Sequence, residues 1–150
     1  MKHALWVVLA IACSKSGDPA PPAHHEDRHE PAAAPVKAMV DVAIDGATTS
    51  WTREVFDRVP RRAGKASDGE GRDTWSLREL AHQAVGPSAR VVAVVGVGRK
   101  TIDQAAWDDA SRTPILHSTK RGTLKFRWED GAGNWGETEV KDVTKLEIVR

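Results

Sequence analysis

Residues 39–45 alternate with period two. Val40, Val42 and Ile44 oppose Asp41, Ala43 and Asp45, which predicts a strand with one buried face. Residues 123–129 repeat the pattern, with Leu124, Phe126 and Trp128 inward and Lys125 and Arg127 outward. Between them, 75–96 changes to a helical period. Ser76 suits an N-cap, Glu79 completes a capping box, and Trp75 and Leu80 form its hydrophobic staple. Leu77, Leu80, Ala81 and Ala84 share a face, Gly86 suits the stop, and Pro87 cannot continue the helix. Val91, Val92, Val94 and Val95 then predict a central strand, apolar on both faces.

The remaining elements are shorter. Asp45-Gly46 predicts a turn, and Thr52 caps a short helix carrying Val55, Phe56 and Val59 up to Pro60. Gly96-Val97-Gly98 predicts a hairpin leading into 101–103. Asp103 caps a helix through Gln104, Ala106, Trp107 and Ala110, stopped by Thr113-Pro114. A short strand at 115–117, a turn at Lys120-Arg121-Gly122, a turn-rich loop over 130–136 and a strand over 139–149 follow. Strands outnumber helices and several are hairpin-linked. The expected fold is α+β, a mostly antiparallel or mixed sheet with about three short helices in one domain over 38–150.

Composition narrows the functional classes. A chain of 150 residues with net charge +1 holds no Lys/Arg block of the length a nucleic-acid footprint needs. Its one cysteine excludes an internal disulfide and a Cys-based zinc site.

That cysteine, Cys13, follows an apolar run over 4–12 that is too short to span a bilayer and is preceded by Lys2 and His3. Ala10-Ile11-Ala12-Cys13 resembles a bacterial lipoprotein signal. Ala12 and Cys13 fit that pattern, while Ala10 and Ile11 depart from its commonest choices. The resemblance implies a signal peptide over 1–12, cleavage before Cys13 and lipid attached to it. Several acyl chains together anchor stably where one does not. Ser14 at the next position favours the outer membrane of a bacterial envelope under the sorting rule for such proteins. Pro19, Pro21, Pro22, Pro31 and Pro35 mark 13–37 as an extended tether. Within it, His24, His25 and His29 stand among Glu26, Asp27 and Glu30 and offer loose ligands to Zn²⁺, Cu²⁺ or Ni²⁺; the plainer reading is a solvated linker.

Candidate chemistry in the domain is sparse. The polar stretch 61–73 carries Arg61, Arg62, Lys65 and Arg72, which suit an anion, offset by Asp68, Glu70 and Asp73. His117 lies near Lys120 and Arg121 and suits a base or an anion contact, or a plain strand-edge position. Trp135, between Asn134 and Gly136, suits ligand or partner contact, or covers the sheet edge. There is no G-x-S-x-G, and Asp108-Asp109 point different ways on a helix. Gly96-Val97-Gly98 lacks the third glycine and the following helix of a dinucleotide site.

Ile44-Asp45-Gly46, the helix ending in Val59-Pro60, Trp75-Ser76-Leu77-Arg78-Glu79-Leu80 and Thr113-Pro114-Ile115-Leu116 together resemble the sulfite-oxidase-like, oxidoreductase molybdopterin-binding family over 39–128. The resemblance implies a scaffold and, for an active member, a molybdenum-pterin held by a cysteine thiolate. This chain's only cysteine lies in the signal. The expectation is therefore a membrane-tethered envelope lipoprotein with a non-catalytic domain and no cofactor, binding an envelope protein or small ligand through Trp135, Arg61, Arg62, Arg72, His117 and Arg121. The alternative is an oxidoreductase-related protein binding molybdopterin without a cysteine ligand. Under the lipoprotein reading, Cys13→Ala moves the chain from the membrane to the soluble fraction of its host and abolishes palmitate labelling; a variant that stays in the membrane refutes the anchor.

Overall fold

The computed structural model describes residues 38–63 and 73–150. β1 (Ala38–Ile44) and β2 (Ala47–Thr52) form a hairpin, with Ile44 opposite Ala47 across the expected turn. Asp45 and Gly46 take φ of 48° and 89°, the pair of left-handed residues that a two-residue hairpin needs. The pattern does not predict β2, because Thr48, Thr49 and Ser50 are exposed and only Trp51 buries its side chain. α1 (Arg53–Asp57) starts after Thr52, as expected, although the Thr52 side chain makes no capping bond.

The stretch expected to be a polar loop contributes β3 (Arg62–Ala63), which pairs antiparallel with β4 (Asp73–Ser76). Ser76 caps α2 (Leu77–Ala84) as its sequence predicts, its hydroxyl accepting from the Glu79 amide at 3.3 Å. Trp75 and Leu80, the staple pair, are both fully buried. Leu77 and Ala81 join them, but Ala84 is exposed and drops out of the expected apolar face. Gly86 ends the helix at φ 143°.

β5 spans Arg90–Thr101. The Ile102 amide donates to the Val92 carbonyl at 2.9 Å, so the chain doubles back about Gly96-Val97-Gly98, with Gly98 at φ 96°, as the hairpin reading expects. Among the other described strands it pairs with β8. Its buried residues, Val91, Ala93 and Val94, join the core, while Val92 and Val95 are half-buried. Asp103 caps α3 (Gln104–Asp108), accepting from the Ala106 amide at 2.7 Å. Thr113-Pro114 lie within β6 (Arg112–Ser118), which extends the short strand expected at 115–117. β7 (Leu124–Asp130) carries the predicted alternation, with Leu124, Phe126 and Trp128 buried. β8 (Trp135–Val149) begins inside the stretch read as a loop.

The strands form one path, β2-β1-β8-β7-β6-β4-β3, with β5 added to β8. Among the described residues strand dominates, and the three helices span only 5, 8 and 5 residues. The α+β class is therefore corrected: the fold is close to all-β, a sheet curled into a half-barrel. β8 makes the curl. Its first part, to Val140, pairs with β7, while residues 145–148 lie between parallel β1 and antiparallel β5. Val140 and Val143 are both buried although three apart, a spacing that puts residues on opposite faces of an unbroken strand. Asp142, at φ 47°, absorbs the offset between them. Such a bulge bends and twists the strand. The hollow of the curl holds the core, where Trp51, Phe56, Trp75, Leu80, Phe126 and Leu146 belong to a single cluster. Among the described residues no helix is long and apolar enough to cross a membrane.

Gly96 lets β5 meet this bend. A Cβ there would sit 2.5 Å from the Lys141 carbonyl oxygen and 2.6 Å from that of Asp142, both backbone atoms. At Gly131 the nearest atom to such a Cβ is 3.8 Å away. Gly96→Ala is therefore expected to cost about 2 kcal/mol or more, and Gly131→Ala less than about 0.5 kcal/mol, in urea unfolding. Equal midpoints for the two variants would remove Gly96 from this role.

Candidate functional site

The β6–β7 and β4–β6 registers set the side chains of the outer sheet face. Arg62, Thr74, His117 and Lys125 lie in one cross-strand row, and Thr113, Glu129 and Trp135 in another. Cross-strand partners point to the same face. This face is opposite to Trp75, Leu116 and Phe126, which enter the core. It is nevertheless partly dry. Thr74 and His117 are fully buried, and Glu129 is 3% exposed.

Trp135 and two arginines cover these groups. The Trp135 ring lies on the His117 imidazole, with centroids 4.9 Å apart and planes tilted by 32°. Its Nε1 donates to Glu129 Oε2 at 3.3 Å, and Arg62 Nε donates to Glu129 Oε1 at 3.1 Å. The Arg127 guanidinium lies 5.1 Å from the Trp135 ring centre and donates through Nη2 to Thr138 Oγ1. The turn before Trp135 is fastened by Asp130, whose Oδ1 accepts from the amides of Ala132 at 2.9 Å and Asn134 at 2.8 Å. The Asn134 side chain, first among these donors, holds the Asp130 carboxyl below the ordinary aspartate range. Of its two sequence readings, Trp135 takes the covering one: it is half-buried and folded back onto the sheet.

The remaining sequence candidates separate. Arg61 and Arg62 are adjacent in sequence, but they engage different carboxylates. Arg61 donates to Asp57 at 3.0 Å and Asp73 at 2.9 Å, and Arg53 donates to the same two carboxylates at 3.0 and 2.8 Å. The Arg61 bond, then that of Arg53, keeps the Asp57 carboxyl low, and Asp73 foremost raises the Arg53 guanidinium. These cations are neutralised within the chain. Arg72 lies outside the described residues, as do Lys65, Cys13, His24, His25 and His29. His82 is exposed on α2.

Arg121 lines a cleft of about 350 Å³ with Thr119, Lys120, Thr123, Lys125, Lys141 and Asp142. The β6–β7 turn supplies one wall and the β8 bend the other. Thr119 and Thr123 brace the turn through a hydroxyl–hydroxyl bond of 2.9 Å. Four cations face one carboxylate, Asp142. Arg121, Lys125 and Lys141 make no ion pair among the described residues. The cleft does not include His117.

Glu129, Lys125 and Lys141 are the site residues that the sequence reading missed. Glu129 carried a signal: it shares the outward side of an alternating strand with Lys125 and Arg127, two residues apart along β7. Lys141 stands at the break in alternation between Val140 and Val143. A molybdenum-pterin finds no thiolate on these strands, since the one cysteine, Cys13, lies outside them. Among the described residues no group of three or more His, Cys, Asp or Glu is placed to hold a metal ion. No protein-family model matches the chain, and comparison with curated proteins and with solved structures returns no match. The fold and site define a curled β-module with a sealed polar face and an open basic cleft.

Glu129→Ala strands Arg62 and the Trp135 Nε1 together. Because Arg62 is partly exposed, the expected loss is about 2 kcal/mol rather than the full cost of breaking a buried pair. Glu129→Gln retains an acceptor for both and is expected to lose about half as much in urea unfolding. A Gln variant no more stable than the Ala variant would show that the hydrogen bonds matter less than the charge.

Proposed function

We propose that this chain is a non-catalytic binding module of a bacterial envelope, held at the membrane by lipid on Cys13, that engages an acidic protein partner through the Arg121 cleft. The observation that carries the reading is the balance of charge in that cleft, four cations to one carboxylate, with three of the cations unengaged by other described residues. Several arginines elsewhere are paired within the chain: Arg53 and Arg61 with Asp57 and Asp73, Arg62 with Glu129, Arg99 with Glu147. A surplus of one sign on a concave surface steers and orients an oppositely charged partner. The Cys13 anchor and the proline-rich tether support an envelope address on sequence grounds alone.

Catalysis finds less support. Of the two histidines in the domain, His117 lies sealed under Trp135 and His82 stands exposed on a helix flank.

The test uses the full chain and an oligoglutamate peptide as the probe. Affinity is expected to fall about tenfold between roughly 50 and 300 mM salt, and by a similar factor in the double variant Lys125→Glu, Lys141→Glu. Binding indifferent to both salt and charge reversal would refute the acidic-partner reading.

A further inference from the structure

A second cleft, of about 570 Å³, lies where α2, α3 and the ends of β5 and β8 meet, and it shares no residue with the Arg121 cleft. Arg78 forms its fixed wall. From α2 it donates through Nε to the Trp107 carbonyl at 2.7 Å and through Nη2 to the Asp109 carbonyl at 2.8 Å. Its guanidinium carbon lies 5.9 Å from the Trp107 ring centre. Both hydrogen-bond acceptors are neutral, so they position the cation without cancelling its charge. Burial, the largest influence, pushes the Arg78 pKa down, the direction expected of a desolvated cation.

Two further arginines border the same space. Arg90, at the start of β5, makes no ion pair among the described residues. Arg150 follows β8; its amide donates to Asp45 Oδ1 at 3.3 Å and its Nε stands 3.8 Å from Asp45 Oδ2, so Asp45, which does not line the cleft, offsets part of its charge. The one carboxylate side chain on the wall is Asp108, which accepts from the Gln104 side-chain amide. Pro87, Trp107 and Val149 add apolar surface. The volume falls within the range of small-molecule sites, and apolar walls with a few converging polar groups are their usual composition.

We propose that this cleft binds a small organic anion, a carboxylate or phosphate monoester carried on a compact apolar body. The anionic group meets Arg90 and Arg150, with Arg78 behind them as a preorganised positive wall. Guanidinium groups suit both oxyanions because their planar donor pairs match two oxygens at once. The apolar body rests on Pro87, Trp107 and Val149. The cleft is larger than a bare ion requires, so the apolar portion provides selectivity over inorganic phosphate. This site is independent of the proposal for the Arg121 cleft, since none of its lining residues is shared.

Calorimetric titration of the full chain tests it, with benzoate and phenyl phosphate as probes and inorganic phosphate and benzylamine as comparators. At least one aryl anion is expected to bind about tenfold tighter than inorganic phosphate, and benzylamine is expected not to bind. The double variant Arg90→Gln, Arg150→Gln is expected to weaken the aryl anion about tenfold, and Arg90→Lys, Arg150→Lys to restore part of that loss. The Lys125→Glu, Lys141→Glu variant is expected to bind it unchanged, which separates this site from the other cleft. Equal affinity for inorganic phosphate, binding that survives both Gln substitutions, or no heat from either aryl anion up to about 10 mM would overturn the proposal.

Discussion

β8 has to serve two sets of neighbours. Its first part extends the sheet formed by β7, β6, β4 and β3, and its last part lies between β1 and β5. A straight strand would carry that sheet onward with little change of direction. The bulge at Asp142 turns it, and the turn closes the hollow in which Trp51, Phe56 and Trp75 meet Phe126 and Leu146. The bend brings two backbone carbonyls toward β5 at one place, and only a residue without a side chain fits there. Gly96 is that residue. The core, the curl and the position of Lys141 in the basic cleft therefore rest on one close backbone approach between β5 and β8.

The outer face shows how a half-barrel treats polar groups it cannot leave wet. Glu129 is buried on the side of the sheet away from the core, where an unpaired carboxylate would be costly. Arg62 supplies the opposite charge and Trp135 a neutral donor, while the Trp135 ring covers His117. The arrangement uses Arg62 and Trp135 for stability and leaves them less available to a ligand. The Arg121 and Arg78 clefts instead gather several cations around one lining carboxylate side chain each. Positive charge is thus divided between internal pairing and the two clefts, although the chain as a whole is nearly neutral at +1.

Local signals were legible in the sequence wherever a few neighbouring residues complete the physics. The Ser76 and Asp103 caps, the Asp45-Gly46 turn and the alternation of Leu124, Phe126 and Trp128 each depend on contacts within a few positions, and each is found. The misses follow one rule. β2 is an edge strand whose Thr48, Thr49 and Ser50 face water, so it has no apolar period to detect. β3 is two residues held by β4 from across a long connection. The valine run of β5 reads as buried, but its surroundings are long-range: β8 on one side, and α2 and α3 packed against it.

The sequence alone therefore determined the turns, the caps and most of the buried positions, because those depend on residue type and short-range spacing. It did not determine the fold class, because the count of strands says nothing of how a bent β8 gathers them. Nor did it reveal that Arg61 and Arg62 serve different carboxylates, that Trp135 is a cover, or that Lys125 and Lys141 join Arg121 around one cleft. Those facts depend on strand register across gaps of many residues. Register is decided when the whole sheet closes over its core, since a shift of one residue would turn every side chain to the other face.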